Sequence, residues 1–284
     1  MKKIKNFLIF NLFLISNLIA QSNYSLGFDG VDDHVSTSSA LFSGVNNDYS
    51  IIINFRINEN PDENNEFLIL HRAHWHDKGI FIDQNTNTLT ATDRGGHGIP
   101  ALDLSHSLDN LNLDQWYSVA FTANEDSLKL YVDGVLVDAG PREFGNTNWG
   151  SSYMYTSIGG GAGYLGDPNI NISNVSIWDS ELTKTQVKSY MFLELDGNEN
   201  DLTSYWNFNE GSGATVNDLA SGNDGSINGA TWSEDIPILG CTDQYADNYN
   251  SNANIDDGTC SGYPNNGNYT LNFDGQDDFV ATEI

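Results

Sequence analysis

The chain has 284 residues, 39% of them apolar and 12% aromatic, which excludes a disordered polymer and leaves room for one large all-β domain or two ordinary ones. Its 39 Asp and Glu against 11 Lys and Arg give a formal net charge of −28, which argues against nucleic-acid backbones and anionic membrane surfaces as partners. The same excess leaves carboxylates available to hard cations such as Ca²⁺.

Residues 1–20 read as a secretory leader. Lys2, Lys3 and Lys5 precede an uncharged, mostly apolar run from Phe7 to Ala20, too short and too interrupted by Asn and Ser to span a bilayer. Its removal takes the net charge from −28 to −31. No later segment has the length of apolar sequence that membrane insertion of the mature chain requires.

From Asn23 the pattern is β. Tyr49 to Ile57 places Ile51, Ile53, Phe55 and Ile57 on one face, with Ile52 as the exception. Trp116–Ala123 and Ser127–Val132 alternate likewise, and Asp133-Gly134 is the turn chemistry of a tight hairpin. Further strands are expected at Glu66–Leu70, Gly79–Asp83, Thr88–Thr92, Ser173–Trp178 and Leu202–Phe208, and a single helix at Leu182–Phe192. Trp116, Trp178 and Trp206 fall inside apolar strand patterns and are expected in the core. Many strands with Asn-, Gly- and Asp-rich turns point to a two-sheet sandwich or jelly roll.

Beyond Pro237 lies a separate element. Cys241 and Cys260 enclose eighteen residues rich in Asn and Asp. In a secreted chain they are expected to form one disulfide, worth about 3 kcal/mol by loop closure. The phrase NYSLGFDGVDDHVST at Asn23–Thr37 then returns as NYTLNFDGQDDFVAT at Asn268–Thr282, with ten of fifteen positions identical. A repeat of this kind marks a repeated module. The organisation expected is a leader at 1–20, a module at 21–237, a Cys-flanked linker at 238–262 and the start of a second module at 263–284.

Three groups of residues could carry chemistry. Asp29, Asp32 and Asp33 gather oxygen ligands at a turn, and Asp256 with Asp257 does so in the linker; both are candidate Ca²⁺ sites, with solvated turns as the alternative. His71, His74 and His76 have imidazole spacing for a metal, set against an exposed polar loop. Trp75, Trp149, Tyr153 and Tyr164, with Arg72 nearby, form a candidate platform where sugar CH faces pack on rings.

The phrases FDGVDD (Phe28–Asp33), DQWYSVAFTA (Asp114–Ala123), LKLYVDG (Leu128–Gly134), SIGGG (Ser157–Gly161), NVSIWDSELTKTQV (Asn174–Val187) and the run Tyr205–Trp232 together resemble the laminin-G-like jelly-roll domains of the concanavalin A-like lectin/glucanase superfamily. The likeness spans about residues 23–237, in the style of secreted Bacteroidota surface proteins. It implies an all-β sandwich of twelve to fourteen strands that binds a glycan or a surface protein, often with Ca²⁺ at loop rims. A non-binding spacer repeat and a glycoside hydrolase are the other readings. Glycosidases of the superfamily carry Glu-x-Asp-x-x-Glu on a bulged strand. Glu194–Glu199 matches those letters, but Gly197-Asn198 is turn chemistry, so no catalytic residue is expected there.

Overall fold

The computed structural model describes residues 23–37, 48–59, 65–73, 76–83, 85–94, 101–142, 154–160 and 167–263. The leader and the second copy of the opening phrase lie outside the described residues. The chain divides into two units, Met1–Ile236 and Pro237–Ile284.

Among the described residues the first unit contains sixteen strands. They are β1 (Ser25–Asp29), β2 (His34–Thr37), β3 (Tyr49–Ile57), β4 (Asn65–Ala73), β5 (His76–Asp83), β6 (Thr88–Arg94), β7 (Ala101–Ser107) and β8 (Trp116–Ala123). There follow β9 (Ser127–Val132), β10 (Val135–Pro141), β11 (Met154–Ile158), β12 (Asn169–Trp178), β13 (Leu202–Trp206), β14 (Thr215–Val216), β15 (Gly225–Asn228) and β16 (Thr231–Ser233). The first sheet runs β10-β9-β8-β3-β12-β1-β16, with β13 also paired to β12. The second runs β14-β15-β2-β11-β4-β5-β6-β7. This is the expected jelly-roll sandwich, with eight strands in each sheet. The strand total exceeds the implied twelve to fourteen because short edge pieces of two to four residues, β14 to β16, complete both sheets.

Alternation explains the core. Ile51, Ile53, Phe55 and Ile57 meet Ile69, Ile80, Ile82 and Leu89 from the facing sheet. Strand β12 needs one correction to stay in phase: Ile170 and Ile172 face inward, and so do Val175 and Ile177, which a strict period of two forbids. A register shift against β3 between Ile172 and Asn174 supplies the extra residue. Trp206 is wholly buried and Trp116 and Trp178 are 1% exposed, as their strand positions require. Asp133 (φ 48°) and Gly134 (φ 71°) form the β9–β10 hairpin turn.

Ile52, the exception to the pattern, has a core of its own on the other face of the first sheet. It joins Ala120, Tyr131, Trp178, Leu182, Val187, Leu195 and Tyr205 in a second apolar cluster. The lid is helix α1 (Lys184–Tyr190), shorter than the expected Leu182–Phe192 because Thr183 and Gln186 close its N-terminus as a capping box. The Tyr190 ring stacks on Trp178 at 4.6 Å.

In the second unit, β17 (Leu239–Gly240) and β18 (Ile255–Asp256) pair in parallel, and Cys241 is joined to Cys260. Asn and Asp side chains organise the rest: Asn254 Oδ1 accepts from the Ile238 amide at 2.6 Å, and Asn248 Oδ1 from the Ser261 amide at 2.8 Å.

Candidate functional site

The β1–β2 turn holds the first expected site together. Asp29, Asp32 and Asp33 place one carboxylate oxygen each within 4.8 Å of one another. Two oxygens that ligate one Ca²⁺ at about 2.4 Å can stand at most about 4.8 Å apart, so the three carboxylates meet that limit and would supply part of the roughly six to eight oxygens the ion takes. Asp33 is the buried member. Its Oδ2 accepts from the Asp29 amide at 2.9 Å, and Asp29 Oδ1 accepts from the Val31 amide at 2.9 Å. Burial pushes the Asp33 carboxyl above the usual carboxylate range; the bond from Asp29 opposes this and the Asp29 and Asp32 charges add to it. Gly229 (φ +79°) lies so close that a Cβ there would stand 1.9 Å from Asp33 Oδ1, so any other residue would strain the backbone and displace the Asp33 carboxylate.

Beside this turn opens a cleft of about 430 Å³, within the roughly 300–1,000 Å³ typical of small-molecule sites. Its floor follows from strand register on the outer face of the first sheet. Gly27 pairs with Asn171 of β12 on one side and Thr231 of β16 on the other. Without a side chain at 27 the backbone lies bare between the Asn171 amide and Thr231. Asn169 and Asp29 form the next row. The amides are oriented from behind: Asn58 Nδ2 donates to Asn171 Oδ1 at 2.8 Å, and Asn171 Nδ2 donates to Ser25 Oγ at 3.1 Å. Beyond these two bonds the Asn171 carboxamide has one further N–H and one further lone pair. Arg56 closes the same row, held by Asp235 at 2.5 Å and Asp114 at 3.5 Å.

A third arrangement lies inside the sandwich. Lys78 on β5 and Asp93 on β6 are cross-strand partners facing the core, with Nζ 3.4 Å from Oδ1. Arg142 Nη2 reaches Oδ2 of the same carboxylate at 2.8 Å. Lys78 Nζ also sits 3.9 Å from the centroid of the Tyr49 ring. All three side chains are 1–3% exposed.

The other expected residues fall as follows. Trp75, Trp149, Tyr153, Tyr164 and His74 lie outside the described residues. Arg72 and His71 are on β4 and His76 on β5, with Arg72 in register with Asp77 and Tyr155. Among the described residues Asp256 and Asp257 are not brought together with a third acid; their carboxylates close local turns, Asp256 Oδ1 accepting from the Gly258 amide and Asp257 Oδ1 from the Thr259 amide. The Glu194–Glu199 stretch is irregular chain between α1 and β13 rather than a strand. Glu194 Oε1 accepts amide protons from Asn207 and Asn209. The cleft residues Gly27, Asn171 and Thr231 were not among the expected ones. Their local signals are a lone glycine inside a strand and asparagines alternating with isoleucine at 169–172.

Comparison with known proteins adds the family. A profile described as the concanavalin A-like lectin/glucanases superfamily matches residues 29–188, more than half of the chain. A solved structure from Bacteroides ovatus, described as a candidate carbohydrate-binding protein, superposes with a TM-score of 0.61 at 16% identity, covering 75% of this chain and 60% of the other. A heptameric SAP-like pentraxin from Limulus polyphemus superposes with a TM-score of 0.42 at 14% identity, covering 59% and 81%. This chain thus spans less than two thirds of the Bacteroides protein, and at these identities the likeness concerns the fold alone. No curated protein sequence matches.

Proposed function

The chain belongs to the concanavalin A-like lectin/glucanases superfamily, and from that premise we propose that residues 21–237 are an extracellular carbohydrate-binding module. The observation that carries the reading is the cleft floored by Gly27, where carboxamides, a threonine and carboxylates converge on a concave polar surface. Sugar hydroxyls are taken by such planar, bifunctional side chains. The description of the Bacteroides structure supports the same class of ligand, and the Cys241–Cys260 disulfide supports an oxidising compartment. Among the described residues no helix is long and apolar enough to cross a membrane. We read the module as non-catalytic, serving a larger surface protein through its Cys-flanked linker and a second module.

The test is a glycan array followed by calorimetry on the best neutral ligand, with Gly27→Val as the diagnostic variant. The nearest atoms to a Cβ at 27 are 3.6 Å away, and β-branched residues suit strands. The variant should therefore fold with unchanged Tm while filling the cleft. We expect at least a tenfold loss of affinity; undiminished binding would place the ligand elsewhere.

We also assign Asp29, Asp32 and Asp33 to Ca²⁺. Bound there, the ion would relieve the mutual repulsion that helps to raise the Asp33 carboxyl and would fix the rim of the cleft. At a hundredfold excess over Kd, binding adds about 2.7 kcal/mol, or roughly 5–10 °C in Tm for a domain of this size. Asp32→Asn should remove most of that increment. Identical melting in Ca²⁺ and in chelator would refute the assignment.

A further inference from the structure

The aromatic side chains divide between the two units. Every one described in the first unit is buried or half-buried. In the second unit the opposite holds: Tyr245, Tyr249 and Tyr263 are 57%, 46% and 50% exposed. The hydrophobic side chains buried there are Cys241, Ala246 and Ile255. The second unit therefore closes on its disulfide and a few aliphatic contacts, and its rings take no part in the core. Large apolar side chains gathered at a surface in this way mark a contact site.

The rings stand on a laced frame. The Asp247 amide donates to the Ser261 carbonyl at 3.0 Å and the Ser261 amide to Asn248 Oδ1 at 2.8 Å, which holds the stretch before Tyr263 beside the one that carries Tyr245 and Tyr249. Tyr249 forms a parallel bridge with Cys241. Asp243 links the other two tyrosines: its Oδ1 accepts from the Tyr245 amide at 2.9 Å. Its carboxylate also accepts from the Tyr263 hydroxyl, which holds that phenol above its usual range. The result is apolar ring faces beside carboxylate oxygens. A saccharide uses that combination, because its CH face packs on a ring while its hydroxyls donate to nearby acceptors. Charge and size narrow the occupant. Residues 237–263 hold Asp243, Asp247, Asp256 and Asp257 and neither Lys nor Arg, so like-charge repulsion disfavours an acidic sugar. A stable protein interface takes about 20–30 residues a side, nearly all of this unit, whereas a short oligosaccharide needs only the rings and their polar neighbours.

We propose that Tyr245, Tyr249 and Tyr263 make the Cys-closed unit a second glycan-binding site, selective for neutral saccharides. The inference shares its class of ligand with the cleft reading but uses none of the residues of the Gly27 cleft. On it, residues 238–262 are more than a linker. Tyrosine suits the task, since its ring offers a large contact area and has few rotatable bonds to immobilise.

The probes are cellohexaose, mannohexaose and xylohexaose, with hexagalacturonate as the acidic control, titrated calorimetrically into the full chain. At least one neutral hexamer should bind, and binding should persist in Gly27→Val, where the cleft is filled. Adding Tyr245→Ala and Tyr263→Ala to that variant should weaken the remaining binding at least tenfold, with Tm unchanged and the disulfide intact by mass. Loss of all hexamer binding in Gly27→Val overturns the proposal and leaves the cleft reading standing. Full binding by Gly27→Val and none by the tyrosine variant does the reverse. Failure of every neutral hexamer to bind the native chain, or hexagalacturonate binding as tightly as they do, also overturns the proposal. So does a tyrosine variant that keeps its saccharide affinity but loses self-association in sedimentation, which would make the rings a contact between copies of the chain.

Discussion

Asp93→Ala is expected to destabilise the sandwich by about 3–5 kcal/mol, lowering Tm by roughly 10 °C or more. The carboxylate is 1% exposed and bonds Lys78 at 3.4 Å and Arg142 at 2.8 Å, themselves 2% and 3% exposed. Its removal leaves two cations facing each other inside the core. Lys78→Met should act in the opposite direction, because a buried triad with two positive charges and one negative is stabilised by losing a positive charge. The native chain already leans that way. Burial first, and then the Arg142 charge, bring the Lys78 amine down to about 7 against the opposing pull of Asp93. The unfolded chain, with lysine near 10.4, binds more protons between those values, so stability rises from pH 7 toward pH 10 and is lost as pH falls through 7. Urea melts of the native chain and Lys78→Met across that window should diverge at the acid end, with the variant less dependent on pH. Parallel curves, or an Asp93→Ala variant melting within 2 °C of the native chain, would contradict this account.

The triad was half legible in the sequence. Lys78 is in phase with Ile80 and Ile82, and Asp93 with Leu89 and Ala91, so each reads as a charge at an inward position. What the pattern lacks is Arg142, which arrives after β10 and is brought to the carboxylate only by the folded chain. The same division holds elsewhere. Strand alternation along Tyr49–Ile57 predicts the main core, and the misfit Ile52 announces the second cluster under α1. The acidic turn at 29–33 is local, so its convergence was readable. The cleft was not: Gly27, Asn171 and Thr231 become neighbours only through the order β12-β1-β16, and strand order across such sequence distances leaves no local trace. Asp256 and Asp257 were equally local, and their oxygens accept from the Gly258 and Thr259 amides, which is how a dense run of Asn and Asp bonds its own backbone.

Asp218→Ala is the second large expected effect, again about 3–5 kcal/mol. The residue is 5% exposed and its carboxylate accepts five hydrogen bonds. Oδ1 takes the amides of Tyr205 at 2.9 Å, Ala220 at 3.0 Å and Ser221 at 3.3 Å. Oδ2 takes Ser221 Oγ at 2.8 Å and the Asn223 amide at 3.2 Å. An orphaned buried donor costs about 1–3 kcal/mol; water can reach some of these five, which sets the total below their sum. Asp218→Asn keeps the shape but turns an NH₂ toward donors, so a loss of about 2 kcal/mol is expected from the bonds at one oxygen. The damage should spread in a stated direction. The Tyr205 amide belongs to β13, whose Trp206 side chain fills the inter-sheet core and whose Tyr205 ring lies in the cluster beneath α1. Hydrogen exchange should therefore accelerate at Tyr205 and along β13 and α1, while β5 and β6 keep their protection. A variant within 1 kcal/mol of the native chain, or one whose exchange rises equally in both sheets, would show that this turn does not anchor β13.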